Sequence, residues 1–188
     1  MRIVSLSLLA VFSALLQGCV PVVAVGVGSG AMMATDRRTS GIYIEDEAIE
    51  DKAALRISDQ YKDSAHVNVT SFNRNVLLTG EAPDGVSKAD IGKLVADIDN
   101  VRKIINELVV ALPTSLTSRS NDALLTSKVK FHLFNDKRFS SNHIKVVTEN
   151  EVVYLLGMVR RAEADAASEI ASGTSGVRKV VLVFEYLD

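Results

Sequence analysis

Only a few residues of this chain have side chains and spacings that could support catalysis or metal binding. The 188 residues include one cysteine, Cys19, and three histidines, His66, His132 and His143. A protein zinc site needs several Cys, His or carboxylate ligands, and none of the histidines has a second such ligand at a usual sequence spacing. We therefore predict no metal site and no cofactor.

Motifs of enzyme chemistry are equally sparse. The sequence has no G-x-S-x-G nucleophile motif, and the glycine-rich GVGSG at 26–30 lacks the Lys-Ser/Thr of a phosphate-binding loop. The acidic residues Glu45, Asp46 and Glu47 lie at the start of a predicted helix, where the helix dipole favours negative charge. We interpret them as a solvated cap. The sequence predicts no catalytic residues and a protein that is not an enzyme.

The position of Cys19 indicates a processing site. A positive charge near the start precedes an apolar run over residues 3–16, and the small residue Gly18 stands just before the cysteine. This layout is typical of a secretory signal peptide, and the run is short for a membrane span. The segment LLQGC resembles the bacterial lipobox, in which the cysteine is acylated, for example with palmitate, and begins the mature protein. We predict a signal peptide at 1–18 and lipidation of Cys19.

An uncleaved membrane anchor is the alternative for this region, because apolar residues continue from Val20 to Ala34. Pro21 and three glycines weaken that stretch as a helix, which favours the lipoprotein interpretation. Many bacterial lipoproteins that stay in the inner membrane carry Asp directly after the cysteine, whereas this chain has Val20. We therefore predict that the protein is anchored to the periplasmic face of the outer membrane.

The charge balance excludes a class of partners. Without Arg2, residues 19–188 retain 20 of the 21 Lys and Arg against 23 Asp and Glu, a net charge of −3. Nucleic-acid binding generally needs a basic surface, so we predict no nucleic-acid partner. The same balance argues against attachment to anionic lipid by bulk charge alone, although a local patch remains compatible with it.

Polar segments divide the chain. We interpret 19–44 as the lipidated cysteine followed by a flexible tether, because TDRRTSG at 35–41 is rich in turn-forming residues. A second polar segment, PTSLTSRS, divides the remainder into halves of similar length. We predict a first domain at 45–112, a linker at 113–120 and a second domain at 121–188.

The two predicted domains are copies of one unit. VNVTSFNRNVLLTG, which begins at Val67, aligns without a gap with IKVVTENEVVYLLG, which begins at Ile144, at an offset of 77 residues. The tripeptide VRK at 101–103 recurs at 177–179, at an offset of 76 residues. Such self-similarity indicates a tandem duplication.

Each copy predicts the same order of elements. The first helix carries an apolar stripe at every fourth position, which is Ile49, Ala53 and Ile57 in one copy and Leu125, Val129 and Leu133 in the other. Two strands joined by a turn at Asn73 or Asn150 follow, and then a second helix and a last strand. The order α-β-β-α-β predicts an α+β fold, with two helices packed on one face of a small three-stranded sheet in each domain.

This order, with its V-x-V and V-x-L-x-G strand motifs duplicated behind a lipobox, resembles the dual-BON outer-membrane lipoproteins of Gram-negative bacteria that are associated with cell division and envelope stress. The resemblance implies attachment to the outer membrane, binding of anionic phospholipid such as phosphatidylglycerol through the second domain, and support of membrane integrity. The family often has Gly after the Asn of the second hairpin. Here Glu151 follows Asn150, so we expect a longer or looser turn.

A comparison of the two copies indicates which surface would contact lipid. On a helical wheel, four residues of the second copy's first helix lie on a face that core packing does not require: Leu124, Lys128, Phe131 and Phe134. The matching residues of the first copy are Ala48, Lys52, Leu55 and Ser58. Large apolar side chains beside a lysine are typical of an interfacial helix. Alternatively, the rings pack on the other domain or complete a core.

Two other functions fit the same sequence. The protein is alternatively an adaptor that scaffolds envelope proteins, such as factors for cell-wall remodelling or membrane assembly, and the enlarged face then docks a protein groove. A soluble periplasmic osmotic-stress protein with two BON domains is the third interpretation. The packing of the two domains and the oligomeric state do not follow from the sequence.

Overall fold

The computed structural model describes residues 36–188, so the predicted signal peptide, Cys19 and most of the predicted tether lie outside the described residues. The first half contains α1 (Ser40–Tyr61), β1 (His66–Phe72), β2 (Asn75–Ala82), α2 (Gly85–Ala96), β3 (Lys103–Asn106) and β4 (Val109–Val110). The second half contains α3 (Leu116–Asn135), β5 (Ile144–Glu149), β6 (Val152–Val159), α4 (Arg161–Gly173) and β7 (Lys179–Tyr186).

Both halves have the same sheet topology. In the first, β2 is central and pairs antiparallel with β1 and parallel with β3 and β4. In the second, β6 is central and pairs antiparallel with β5 and parallel with β7. The predicted α+β fold, with two tandem α-β-β-α-β units, is confirmed. The last strand of the first unit differs from the prediction because it is divided into two short segments.

Two helices begin earlier than the sequence interpretation placed them. Helix α1 begins at Ser40, inside the segment predicted as a flexible tether, and Thr39 caps it by accepting a hydrogen bond at Oγ1 from the Ile42 amide at 3.3 Å. Helix α3 begins at Leu116, inside the predicted linker, and Ser115 Oγ accepts a hydrogen bond from the Ser118 amide at 3.2 Å. Ser and Thr are favoured both in turns and as N-caps. The two segments were therefore interpreted as turns although each contains the start of a helix.

None of the helices described between residues 36 and 188 combines the length and the apolar composition that crossing a bilayer requires.

Each domain has its own apolar core between its helices and one face of its sheet. The predicted stripes on the first helices are buried in both copies. In the first domain they pack against Val76 and Leu78 of β2, and in the second against Val153 and Leu155 of β6. The second helices close the cores, through Ile91 and Val95 in α2 and small alanines in α4.

The opposite faces of the two sheets pack against each other. Leu77 of β2 lies between two residues that face the helices, so it points to the other side of the sheet, where it meets Tyr154 and Leu156 of β6. Phe72 completes the buried part of this third cluster. Residues 36–188 are therefore layered as helices, sheet, sheet and helices. Uninterrupted apolar runs in the central strands are typical of strands buried on both faces.

Both hairpin turns are tight and are held by a buried aspartate, which corrects two expectations from the sequence. Asn150 and Glu151 are the two turn residues of the second hairpin, with φ of 50° and 63°, so the turn is not longer or looser. The Asp122 carboxylate accepts a hydrogen bond from each of their amides at 2.9 Å. Asp46 is 1% exposed and holds the first turn in the same way, so it is not part of a solvated cap.

The two glycines shared by the repeats are explained by close backbone contact. A Cβ at Gly80 would lie 2.1 Å from the carbonyl oxygen of His66, and a Cβ at Gly157 would lie 2.4 Å from that of His143. Each glycine stands on the central strand, beside the start of its antiparallel neighbour. A side chain is excluded at both positions, because the neighbouring atom is backbone and has little freedom to move.

Candidate functional site

The four residues predicted to contact lipid share an exposed surface of α3. Leu124, Phe131 and Phe134 are 64%, 64% and 69% exposed, and Lys128 is exposed between them. The apolar stripe of the same helix faces the second sheet and is buried. The alternative in which these rings complete a core or pack on the first domain is therefore not what the structure shows.

A fifth residue, Leu116, extends this surface toward the start of α3. At about 100° per residue, Leu116 and Phe134 project from the helix in the same direction, and Leu116 is 79% exposed. The sequence interpretation placed it in the linker, because the helix start at Ser115 was missed. We call Leu116, Leu124, Lys128, Phe131 and Phe134 the outer face of α3.

The charge of α3 differs in sign from that of its counterpart in the first domain. Helix α3 contains three basic residues and one acidic residue, Asp122, which is buried against the hairpin turn. Helix α1 contains two basic and six acidic residues, so its net charge is −4 where that of α3 is +2. An anionic surface would therefore be attracted to α3 and repelled by α1.

Polar groups next to the outer face already have partners within the helix. Ser120 Oγ donates a hydrogen bond to the carbonyl oxygen of Leu116 at 2.9 Å, and Ser127 Oγ donates to that of Ala123 at 3.0 Å. A polar group that keeps its hydrogen bond costs less free energy to remove from water. Just after the helix, hydrogen bonds from Arg138 lower the pKa of Asp136, and this carboxylate is thereby paired.

The structure also assembles a cluster that the sequence did not predict. His66 on β1, Glu81 on β2 and Glu149 on β5 place ligand-type atoms within 4.8 Å of one another. Burial raises the pKa of Glu149, and a hydrogen bond from Asn68 Nδ2 at 2.6 Å opposes that shift. The cluster joins the two domains, because Glu149 comes from the second and the others from the first.

Sequence spacing could not reveal this cluster. His66 and Glu81 are paired directly across the antiparallel β1–β2 ladder, so their proximity depends on strand register. Glu149 approaches only because the two sheets pack together. The signal available in the sequence was the presence of acidic residues in otherwise apolar strands, where an unpaired charge is costly.

The duplicated unit defines the class of protein. The BON domain family matches residues 45–111 and 121–187, which correspond to the two α-β-β-α-β units. The chain therefore belongs to the BON-domain family and carries two copies of the domain, as the dual-BON lipoproteins do.

Three curated relatives place the chain more narrowly. Outer membrane lipoprotein DolP of Haemophilus influenzae is 42% identical over 175 residues, which cover 92% of this chain and 91% of the relative. A 21 kDa hemolysin of Actinobacillus pleuropneumoniae is 34% identical and covers 81% and 79% of the two chains. Osmotically-inducible protein Y of Escherichia coli K12 is 31% identical and covers 74% and 72%.

The similarity to DolP confirms part of what the sequence predicted. The identity extends over nearly the whole chain, so the protein is a dual-BON lipoprotein of the outer membrane, held there by a lipid anchor. The names of these relatives are those of a lipoprotein, a hemolysin and an osmotically inducible protein, and they describe no enzyme reaction.

Proposed function

We propose that this lipoprotein binds anionic phospholipid, of the phosphatidylglycerol type, through the outer face of α3 and thereby supports outer-membrane integrity. Lipidation of Cys19 is part of the proposal, since it would hold the folded domains close to the bilayer. The outer face would then bind the headgroups of nearby lipids.

The observation that carries the proposal is the exposure of four large apolar side chains on a helix whose single carboxylate is buried. Rings at Phe131 and Phe134 suit the boundary between headgroups and acyl chains, and the ammonium of Lys128 suits lipid phosphate. The corresponding surface of α1 has smaller residues, and the net charge of α1 is negative. The two helices nevertheless occupy equivalent places in their domains.

A modest intrinsic affinity is sufficient for this function. Each methylene buried in the bilayer contributes about 0.8 kcal/mol, so an acylated cysteine alone provides a large part of the membrane attachment. Tethering also makes binding by α3 effectively intramolecular, at high local lipid concentration. We therefore expect the outer face to select among lipids rather than to provide the anchor.

Vesicle co-sedimentation of residues 35–188 tests the proposal, once circular dichroism has shown that this fragment is folded. The fragment is expected to pellet with phosphatidylglycerol vesicles and to remain in solution with phosphatidylcholine vesicles. Leu124→Glu combined with Phe131→Glu should abolish pelleting, because two carboxylates would replace apolar side chains beside anionic headgroups. Raised salt should weaken pelleting of the unaltered fragment, since the Lys128 contribution is screened.

The first domain provides a matched control. Leu55 is 66% exposed and occupies in α1 the position that Phe131 occupies in α3, so Leu55→Glu should leave lipid binding unchanged. Unfolding of the double variant would mean that the outer face has a structural role and would contradict the proposal. Absence of pelleting by the unaltered fragment, together with rescue of envelope defects by the unaltered protein, would favour the protein adaptor instead.

A further inference from the structure

Three ligand-type side chains meet at the interface between the two domains. His66 Nδ1 lies 3.1 Å from Glu81 Oε2, and an oxygen of Glu149 completes the group within 4.8 Å. Glu81 is 1% exposed, Glu149 is buried and the His66 side chain is 16% exposed. Two carboxylates are thus enclosed with a single imidazole, which leaves negative charge in a poorly hydrated place.

One atom of this cluster lacks the partner that its burial requires. Glu81 Oε2 accepts hydrogen bonds from the amide and the hydroxyl of Thr114, at 3.1 and 3.4 Å. Glu81 Oε1 is buried and has no hydrogen-bond partner among the described residues. A buried charged acceptor without a donor is costly, so this oxygen points to a positively charged ligand that the cluster would bind.

We propose that His66, Glu81 and Glu149 bind one zinc ion, which joins the first BON domain to the second. A nitrogen ligand with two carboxylates suits zinc, whereas magnesium and calcium prefer oxygen ligands alone. At zinc–ligand distances of about 2.0–2.2 Å, neighbouring ligands of a tetrahedral site lie roughly 3.3 Å apart. The separation of His66 Nδ1 from Glu81 Oε2 is 3.1 Å, close to this value. Glu81 would bind through both of its oxygens, so that the unpartnered Oε1 also gains the ion as its partner.

The surroundings support the ligands and leave room for a fourth. Asn68 donates to Glu149 Oε2 and Thr114 donates to Glu81 Oε2, so hydrogen bonds hold both carboxylates in place. His66 and Glu149 also line a cavity of about 340 Å³, which is large enough for water. Asp122 lines it too, but its two oxygens are occupied by the hairpin turn.

Arg119 is the one feature of the cavity that opposes a cation. Arg119 lines the same cavity, and its positive charge would repel a cation bound there. We therefore expect reversible zinc binding, weaker than that of a closed site with four protein ligands.

Isothermal titration of the full-length chain with zinc chloride tests the proposal. The chain is kept in detergent and carries Cys19→Ser, so that no thiol competes for the metal. One zinc ion per chain is expected to bind, and zinc is expected to raise the melting temperature, because it binds only where the two domains meet. Glu149→Gln and His66→Asn should each weaken binding by about tenfold or more and remove the thermal shift.

Two conservative variants serve as matched controls. Glu47→Gln and His132→Asn alter the same residue types at exposed positions and should leave zinc binding unchanged. Circular dichroism and melting without metal establish that Glu149→Gln and His66→Asn are folded. Zinc binding that is equally strong in all four variants, or no binding of zinc by the unaltered chain, would overturn the proposal.

Discussion

The buried aspartates show how single residues define this fold. Asp46 and Asp122 stand at equivalent positions of the two copies, and each accepts hydrogen bonds from both turn amides of the following hairpin. The turn residues of both hairpins are not glycine although their φ is positive. The carboxylate therefore compensates for turn chemistry that the sequence lacks, which is why the expectation of a looser turn was wrong.

Removal of the Asp122 carboxylate should be destabilising. Asp122→Ala would leave the amides of Asn150 and Glu151 without their acceptor, at a cost of about 2 kcal/mol or more. Urea unfolding measures this difference, and Asp165→Ala on the exposed side of α4 is the control. A change below about 0.5 kcal/mol for Asp122→Ala, as for an ordinary surface residue, would show that the turn does not depend on this carboxylate.

At the scale of elements, the helices and strands were predictable because each has a strong local period. Apolar residues at every fourth position predicted the first helix of each domain, and the repeat predicted the same strand order in both domains. What the sequence could not provide was the face opposite the helices. Leu77 and Leu78 make β2 apolar on both sides, and only the packing of the sheets reveals which surface covers the second side.

The start of α4 contains a pH-dependent contact. Glu163 accepts hydrogen bonds from the Arg160 amide at 2.8 Å and from the Arg37 guanidinium at 2.7 Å. The hydrogen bond from Arg37 is the main cause that lowers the pKa of Glu163 to about 2. Because the folded pKa lies below the unfolded value, the contact stabilises the protein at neutral pH, and this stabilisation is lost as the pH falls through about 4 toward 2.

Replacement of Glu163 by Gln tests this contact. The variant should be less stable than the unaltered protein at pH 7. The difference between their free energies of unfolding should decrease steadily from pH 5 to pH 2.5. Urea unfolding midpoints across this range provide the measurement, with Asp165→Asn on the exposed side of α4 as the control. A stability difference that does not change with pH would mean that the charge of Glu163 is not what stabilises the helix start.

At the largest scale that the structure describes, residues 36–188, the two sheets form the centre and the helices form the outside. This arrangement leaves α1 and α3 on surfaces where their charges and side chains decide what they contact. The enlargement of three positions in α3 was visible in the sequence, because the duplicated domain provides its own comparison. The contribution of Leu116 and the interface cluster around His66 were not visible, since they depend on a helix start and on packing between domains.

Fluorescence quenching by brominated lipid tests the central claim most directly. The full-length lipidated chain is labelled at a new thiol in α3, Ser127→Cys, or at the equivalent position of α1, Asp51→Cys, while acylation occupies Cys19. In nanodiscs with brominated phosphatidylglycerol, strong quenching is predicted at position 127 and little at position 51. Equal quenching at the two positions, or no quenching at position 127, would contradict the proposal that the outer face of α3 contacts the bilayer.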